Sequence, residues 1–255
     1  AATASDQYNQ FDPANPDHSE VLSLEGYTQL LMAEMYCGAV PFSTLNSDLS
    51  LANGAPLSTQ QMLQIAVATL DSAIDIAAAA RASDSSAAAA AAEAGNGRAE
   101  AAALAAMASD AQRENLARVG KGRALMDQSV ANIQVADTVV ATVPTDFVYQ
   151  VLHSANTGRE TNGMWELIFN EGRWSVADKE GTNGLNFQSA NDPRVVSEFL
   201  GTGFDNATPV FGPVAYDDRG SPVTLASGVE ARLIQAEAAL NRGESGDWLT
   251  DLNDL

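Results

Sequence analysis

The sequence is poor in most of the residues that carry chemistry. Its 255 residues include one cysteine, Cys37, and two histidines, His18 and His153. A lone cysteine closes no internal disulfide, and without a C-x-x-C pair or a His/Cys cluster there is no zinc signature. Cysteine usage therefore does not set the redox compartment. The histidines lie in unrelated contexts, and G-x-S-x-G, H-E-x-x-H and phosphate-loop patterns are missing. Gly201-Thr202-Gly203 lacks a third glycine and reads as a turn. These absences argue against an enzyme and imply no cofactor and no metal site. Asp217-Asp218 is acidic enough for a calcium ion but reads better as a solvated turn.

Basic residues are also scarce: 13 Lys and Arg stand against 33 Asp and Glu, a formal net charge of −20. A field of that sign repels phosphate backbones and anionic lipid, which argues against nucleic acid as a partner. There is no run of eighteen strongly apolar residues and no signal-like apolar stretch. With Ala1 in place of methionine, the chain reads as a processed, soluble product.

Alanine is abundant instead. Aromatics make up only 6% of a chain that is 45% hydrophobic, so an alanine-rich, mainly helical class is expected. Residues 1–18 hold Asp12-Pro13 and Asn15-Pro16 and read as an irregular arm without helix. A helical part, 19–143, follows. Its first helix spans 19–38, with Leu22, Tyr27, Leu30, Leu31 and Met35 on one stripe and Gly38 and Pro41 as the stop. Cys37 is expected to be a small buried hydrophobe beside that turn. The 43–57 segment is a loop, and Ser58 with Gln61 has capping-box spacing at the head of the next helix. The insertion 77–108 is alanine-rich and extends helices. Ser109 with Gln112 repeats the capping-box spacing and predicts a helix start there, with a partner helix at roughly 130–142.

Residues 144–223 change character: 147–152 and 164–169 read as short strands within a loop-rich insertion, where function tends to sit. Its aromatics are the ligand candidates: Trp174, Tyr149, Tyr216 and Phe204, with Trp165 read as strand core. Residues 224–255 form a C-terminal helical pair. Ser227 and Glu230 have capping-box spacing, Val229, Leu233, Ala236 and Leu240 fall on one stripe widened by Ile234 and Ala238, and Gly243 suits the left-handed stop. Its small residues allow close helix pairing.

The same segments resemble the SusD/RagB family of extracytoplasmic nutrient-binding proteins. The late helix, PVTLASGVEARLIQAEAALNRG from Pro222 to Gly243, is similar to a family signature, with Glu230, Glu237 and Leu240 in matching places. GYTQLLMAEMYCGAVPF, 26–42, resembles the family's first helix and turn, and Asn191-Asp192-Pro193-Arg194 its DPR turn.

The resemblance implies a mainly α, tetratricopeptide-like helical-repeat domain with a loop-rich insertion containing short β-strands. It further implies a non-enzymatic protein that captures a glycan or other nutrient at the cell envelope, in the periplasm or at the outer membrane. A TonB-dependent-type transporter is the partner it suggests. The chain starts Ala1-Ala2-Thr3 where members carry a lipidated cysteine, and it looks shortened. That motivates an alternative: an accessory or scaffold subunit docked on the extracytoplasmic side of a transporter or energy-transducing complex. Tyr8 and Phe11 of the arm and Trp248, Leu249 and Leu252 of the tail would then be the contacts, and the face beyond Trp248 would be open or covered by another subunit.

Overall fold

The computed structural model describes residues 2–46, 48, 50–182, 184–253 and 255. Ser47 and Leu49 of the 43–57 loop, and Ala1 and Asp254 at the chain ends, lie outside the described residues. The chain forms two compact units, Ala1–Tyr149 with Ala226–Leu255, and Gln150–Leu225. It is mainly helical, with a few short strands.

The first unit begins with helix, not with an irregular arm. Helix α1 spans Ala2–Phe11 and α2 spans Pro16–Met35. Asn15 caps α2, its side chain accepting from the Asp17 N–H at 2.9 Å, and Pro16 occupies a first-turn position where its missing N–H costs nothing. Asn15-Pro16 thus starts a helix rather than a loop. What holds α1 is tertiary. His18 is 1% exposed, contacts Ser5 Oγ at 3.2 Å and Pro13 O at 3.2 Å, and stacks on Tyr8 with centroids 5.2 Å apart.

Two short antiparallel ribbons follow, β1 (Val40–Pro41) with β4 (Pro56–Leu57) and β2 (Thr44–Leu45) with β3 (Leu51–Ala52). Cys37 is exposed there, not buried. Helix α2 has already ended at Tyr36, and Gly38 and Ala39 take positive φ, so the backbone turns away from the core.

Helices α3 (Thr59–Glu93) and α4 (Gly97–Gln128) form a long hairpin. Both halves of the Ser58–Gln61 capping box are made. The hairpin turns at Gly95, in the left-handed region, and Asn96 caps α4 by accepting from the Ala99 N–H. No helix starts at Ser109: it lies inside α4 and its hydroxyl donates back to Ala105 O. Helix that continues on both sides, with an alanine run before Ser109, outweighs a cap signal.

Met62, Leu63, Ala66, Leu70, Ala73 and Ala77 bury one face of α3. Burying the large ones contributes about 1.5–3 kcal/mol each. By length and composition α3 contains a window able to cross a membrane, with a third of that window (33%) buried inside the fold.

Helix α5 (Ile133–Val140) packs on α4, and the chain leaves this unit through β5 (Val148–Val151). It returns through β8 (Val223–Ser227) into α7 (Gly228–Arg242) and α8 (Ser245–Asn253). Ser227 caps α7 by accepting from the Glu230 N–H, and Gly243 ends it at φ 79°.

The face α7 buries matches the expected stripe at Ile234, Ala236 and Ala238 and departs from it at Val229, Leu233 and Leu240. Val229, Leu233 and Leu240 are about half exposed, whereas Gly228, Ala231, Ile234, Ala236, Ala238 and Ala239 are buried. The helices approach closely where one side is small: a Cβ on Gly122 of α4 would lie 2.6 Å from Val140 Cγ1 of α5 and 3.1 Å from Ile234 Cδ1 of α7.

In the second unit, 164–169 is not a strand. A short helix, α6 (Gly163–Trp165), runs into a π-turn over Glu166–Asn170. Asn162, fully buried, initiates it: Oδ1 accepts from the N–H groups of Met164 and Trp165, and its amide donates to Ser221 O at 2.8 Å. Trp165, half-buried, stacks on Phe169 at 6.2 Å. Strands β6 (Ser197–Thr202) and β7 (Pro209–Pro213) pair antiparallel, with Phe199 opposite Phe211 and a register shift before Gly201.

Candidate functional site

Within the second unit, two loops bring Trp174 and Phe204 to one cleft of about 270 Å3. The first loop leaves the π-turn at Gly172, whose φ of 60° suits glycine. The N–H groups of Arg173 and Trp174 both donate to Leu167 O, at 2.9 and 3.2 Å, which fixes where the tryptophan leaves the backbone. Ser175 and Val176 then line up beside β7. The Ser175 hydroxyl accepts from the Phe211 N–H at 2.9 Å, and the Val176 N–H donates to Phe211 O at 2.8 Å.

The second loop connects β6 to β7. Asp205 organises it: Oδ1 accepts from the N–H groups of Ala207 and Thr208, and Oδ2 from the Thr208 hydroxyl. These bonds favour the carboxylate, led by the Thr208 side chain, and pull Asp205 down to about 2. The loops are stitched by Phe204 N–H to Gly172 O at 2.9 Å. A Cβ on Gly203 would approach Gly172 O to 2.8 Å, so the small residue is what lets them meet.

The cleft offers two apolar faces with a polar rim. Trp174 and Phe204 are 48% and 64% exposed. The Arg173 guanidinium lies 4.1 Å over the Phe204 ring and its Nε donates to Glu171 Oε2 at 2.5 Å, so the ring is held by a cation on one side. Arg173, Ser175, Asp205 and Thr208 line the cleft beside the rings. Such a site suits a ligand with flat C–H faces and hydroxyl edges. Among the described residues no group of three or more His, Cys, Asp or Glu is placed to hold a metal ion.

Of the four ligand candidates, only Trp174 and Phe204 come together. Tyr216 lines a separate groove of about 460 Å3 with Phe187, Pro193, Val195 and Val196. Tyr149 belongs to the helical unit, where its hydroxyl donates to Glu20 Oε1 at 2.6 Å; burial and then that carboxylate push it well above the ordinary phenol. It is therefore bound to structure, not presented to a ligand.

The tail candidates divide as well: Leu249 is exposed and Trp248 and Leu252 are half-buried. In α1, Phe11 is 72% exposed, while Tyr8 is taken up by His18. Sequence reasoning did not single out Asp205 or Thr208. The signal was present, since an aspartate three residues before a threonine, with Asn between them, is an Asx-turn pattern.

No family model, curated protein or solved structure matches the chain.

Proposed function

We propose that this chain is a non-enzymatic, extracytoplasmic binding protein of SusD/RagB type, which captures a glycan or similar hydroxyl-rich nutrient. The observation that carries the reading is the convergence of Trp174 and Phe204, from separate loops, on one polar-rimmed cleft. Aromatic faces bury the C–H planes of a pyranose, while Arg173, Ser175 and Thr208 supply donors and acceptors for hydroxyls. The paired helices of the first unit support the tetratricopeptide-like part of the reading, because each buries small residues against a neighbour. Isothermal titration with a panel of neutral oligosaccharides tests it. Binding by the native chain that Trp174→Ala or Phe204→Ala weakens at least tenfold is expected. Absence of binding across the panel, or full binding by both variants, refutes it.

A second reading, a subunit docked on an extracytoplasmic membrane complex such as a TonB-dependent-type transporter, is favoured by a different observation. Val229, Leu233 and Leu240 of α7 and Leu249 of α8 leave large apolar side chains half exposed. Stoichiometric co-purification with a membrane complex, lost when Leu233 and Leu240 become serine, is the outcome this reading requires.

A further inference from the structure

Strand β6 has one partner and one open edge. The partner is β7, and just before their ladder begins the Val214 N–H donates to Val196 O at 3.0 Å. Hydrogen-bonded positions recur at every second residue of an antiparallel pair, so Glu198 opposite Gly212 repeats that position. The residues between, Ser197 and Phe199, turn their N–H and C=O groups away from β7. Their cross-strand partners agree. Pro213, opposite Ser197, has no N–H to give; Phe211, opposite Phe199, bonds outward to Ser175 Oγ and the Val176 N–H, at 2.9 and 2.8 Å. The far edge of β7 is therefore covered. Among the described residues, nothing bonds to the outward groups of Ser197 or Phe199.

The open edge is apolar. Val195, Val196 and Phe199 are 44%, 51% and 63% exposed. Natural edges are commonly blunted by lysine, proline or a covering loop. Residues 195–200 hold neither lysine nor proline, and the register shift past Phe199 confines the regular edge to the first part of the strand. A groove of about 460 Å3, lined by Phe187, Pro193, Val195, Val196, Val214 and Tyr216, runs into that same part. Unpaired backbone beside an apolar groove suits strand addition: main-chain bonds hold an incoming segment, and pockets take its alternate side chains.

Charge decides which segment fits. Arg194, at the groove, donates from Nε to Asp192 Oδ1 at 2.9 Å and from Nη2 to Asp192 Oδ2 at 2.5 Å, so these two charges cancel. Glu198 has no ion-pair partner among the described residues, and Gly212 across the ladder has no side chain to answer it. The whole chain carries a net charge of −20. A second copy would bring the same excess of negative charge and is repelled, whereas a basic segment is attracted.

We propose that the 195–199 edge of β6 is a docking site for an extended, basic peptide segment of another protein. The segment adds as a strand through Ser197 and Phe199, seats apolar side chains in the Tyr216 groove and places a lysine or arginine against Glu198. This groove shares no lining residue with the Trp174–Phe204 cleft, so the two sites are separate.

The test is fluorescence anisotropy of the full chain with a labelled, end-capped heptapeptide of valine and threonine carrying one central lysine. Binding is expected, and replacing that lysine with glutamate should weaken it at least tenfold. N-methylating one set of alternate peptide amides should also weaken it at least tenfold, while methylating the other set leaves it within twofold. Absence of binding, equal binding by the glutamate peptide, or equal binding by both methylated peptides overturns the proposal. Glu198→Lys should reverse the charge preference, and an unchanged preference counts against the role given to Glu198. Amide exchange of Ser197 and Phe199 in the native chain should slow when the peptide is added; unchanged exchange places the peptide elsewhere and overturns the site. Sedimentation of the chain alone should show no self-association through this edge. A dimer that Phe199→Pro dissolves would assign the edge to a second copy and overturn the peptide reading.

Discussion

A Cβ added to Gly120 would lie 2.7 Å from Cε2 of Tyr27. Tyr27 is 1% exposed on α2, and Gly120 is buried on α4, so the two helices meet where one has no side chain. Alanine is the better helix former by about 1 kcal/mol, which alone would favour Gly120→Ala. Overpacking a rigid buried ring costs about 1–3 kcal/mol and wins. Urea unfolding of Gly120→Ala is expected to show a net loss of about 1–2 kcal/mol; a gain would mean that Tyr27 has room to move.

The second unit has its own keystone in Asn162. Three hydrogen bonds from its side chain tie the start of α6 to the Asp217–Ser221 turn through Ser221 O. Asn162→Ala removes them and leaves buried partners unpaired, at about 1–3 kcal/mol each where water cannot enter. Hydrogen exchange should rise across 163–170 and 218–222 while α3 and α4 stay protected. Unchanged exchange in 163–170 would contradict the assignment.

On α7, the exposed Val229, Leu233 and Leu240 matter less to stability than the buried alanines. Leu233→Ala, at an exposed position, is expected to change unfolding free energy by no more than about 0.5 kcal/mol. Ala231→Leu, at a fully buried one, should cost about 1–3 kcal/mol. Circular dichroism melts of the pair give the order directly, and the reverse order would restore the stripe that periodicity suggests.

The cleft loop carries a pH signature. The Thr208 side chain is the leading cause of the low Asp205 value, so Thr208→Ala should move that group from about 2 up toward 3.8. A carboxylate depressed in the folded state contributes order that is present above its ordinary value and lost as pH falls through the depressed one. The native loop should therefore stay ordered down to lower pH than the variant loop, as carboxyl NMR of Asp205 and the amide shifts of Ala207 and Thr208 would show. Coincident titrations in the two proteins would remove the role given to Thr208.

What the sequence determined by itself was local. Ser58 and Gln61 cap α3, Ser227 and Gly243 bound α7, and the alanine runs make helix, because caps, left-handed stops and propensity act within one turn. Trp174 could be singled out because it stood beside Arg173 in a stretch without apolar periodicity. Tertiary structure decided the rest. Periodicity names stripes on α7 but not which one faces inward; closeness to α4 and α5 selected the alanines and turned Val229, Leu233 and Leu240 outward. Residues 2–11 are helix beside an Asp-Pro and an Asn-Pro that suggest a loop, and Tyr8 and Ser5 have His18 to pack on. Phe204 joins Trp174 thirty positions away only because Gly172 and Gly203 let two backbones touch, a distance relationship that no local spacing encodes.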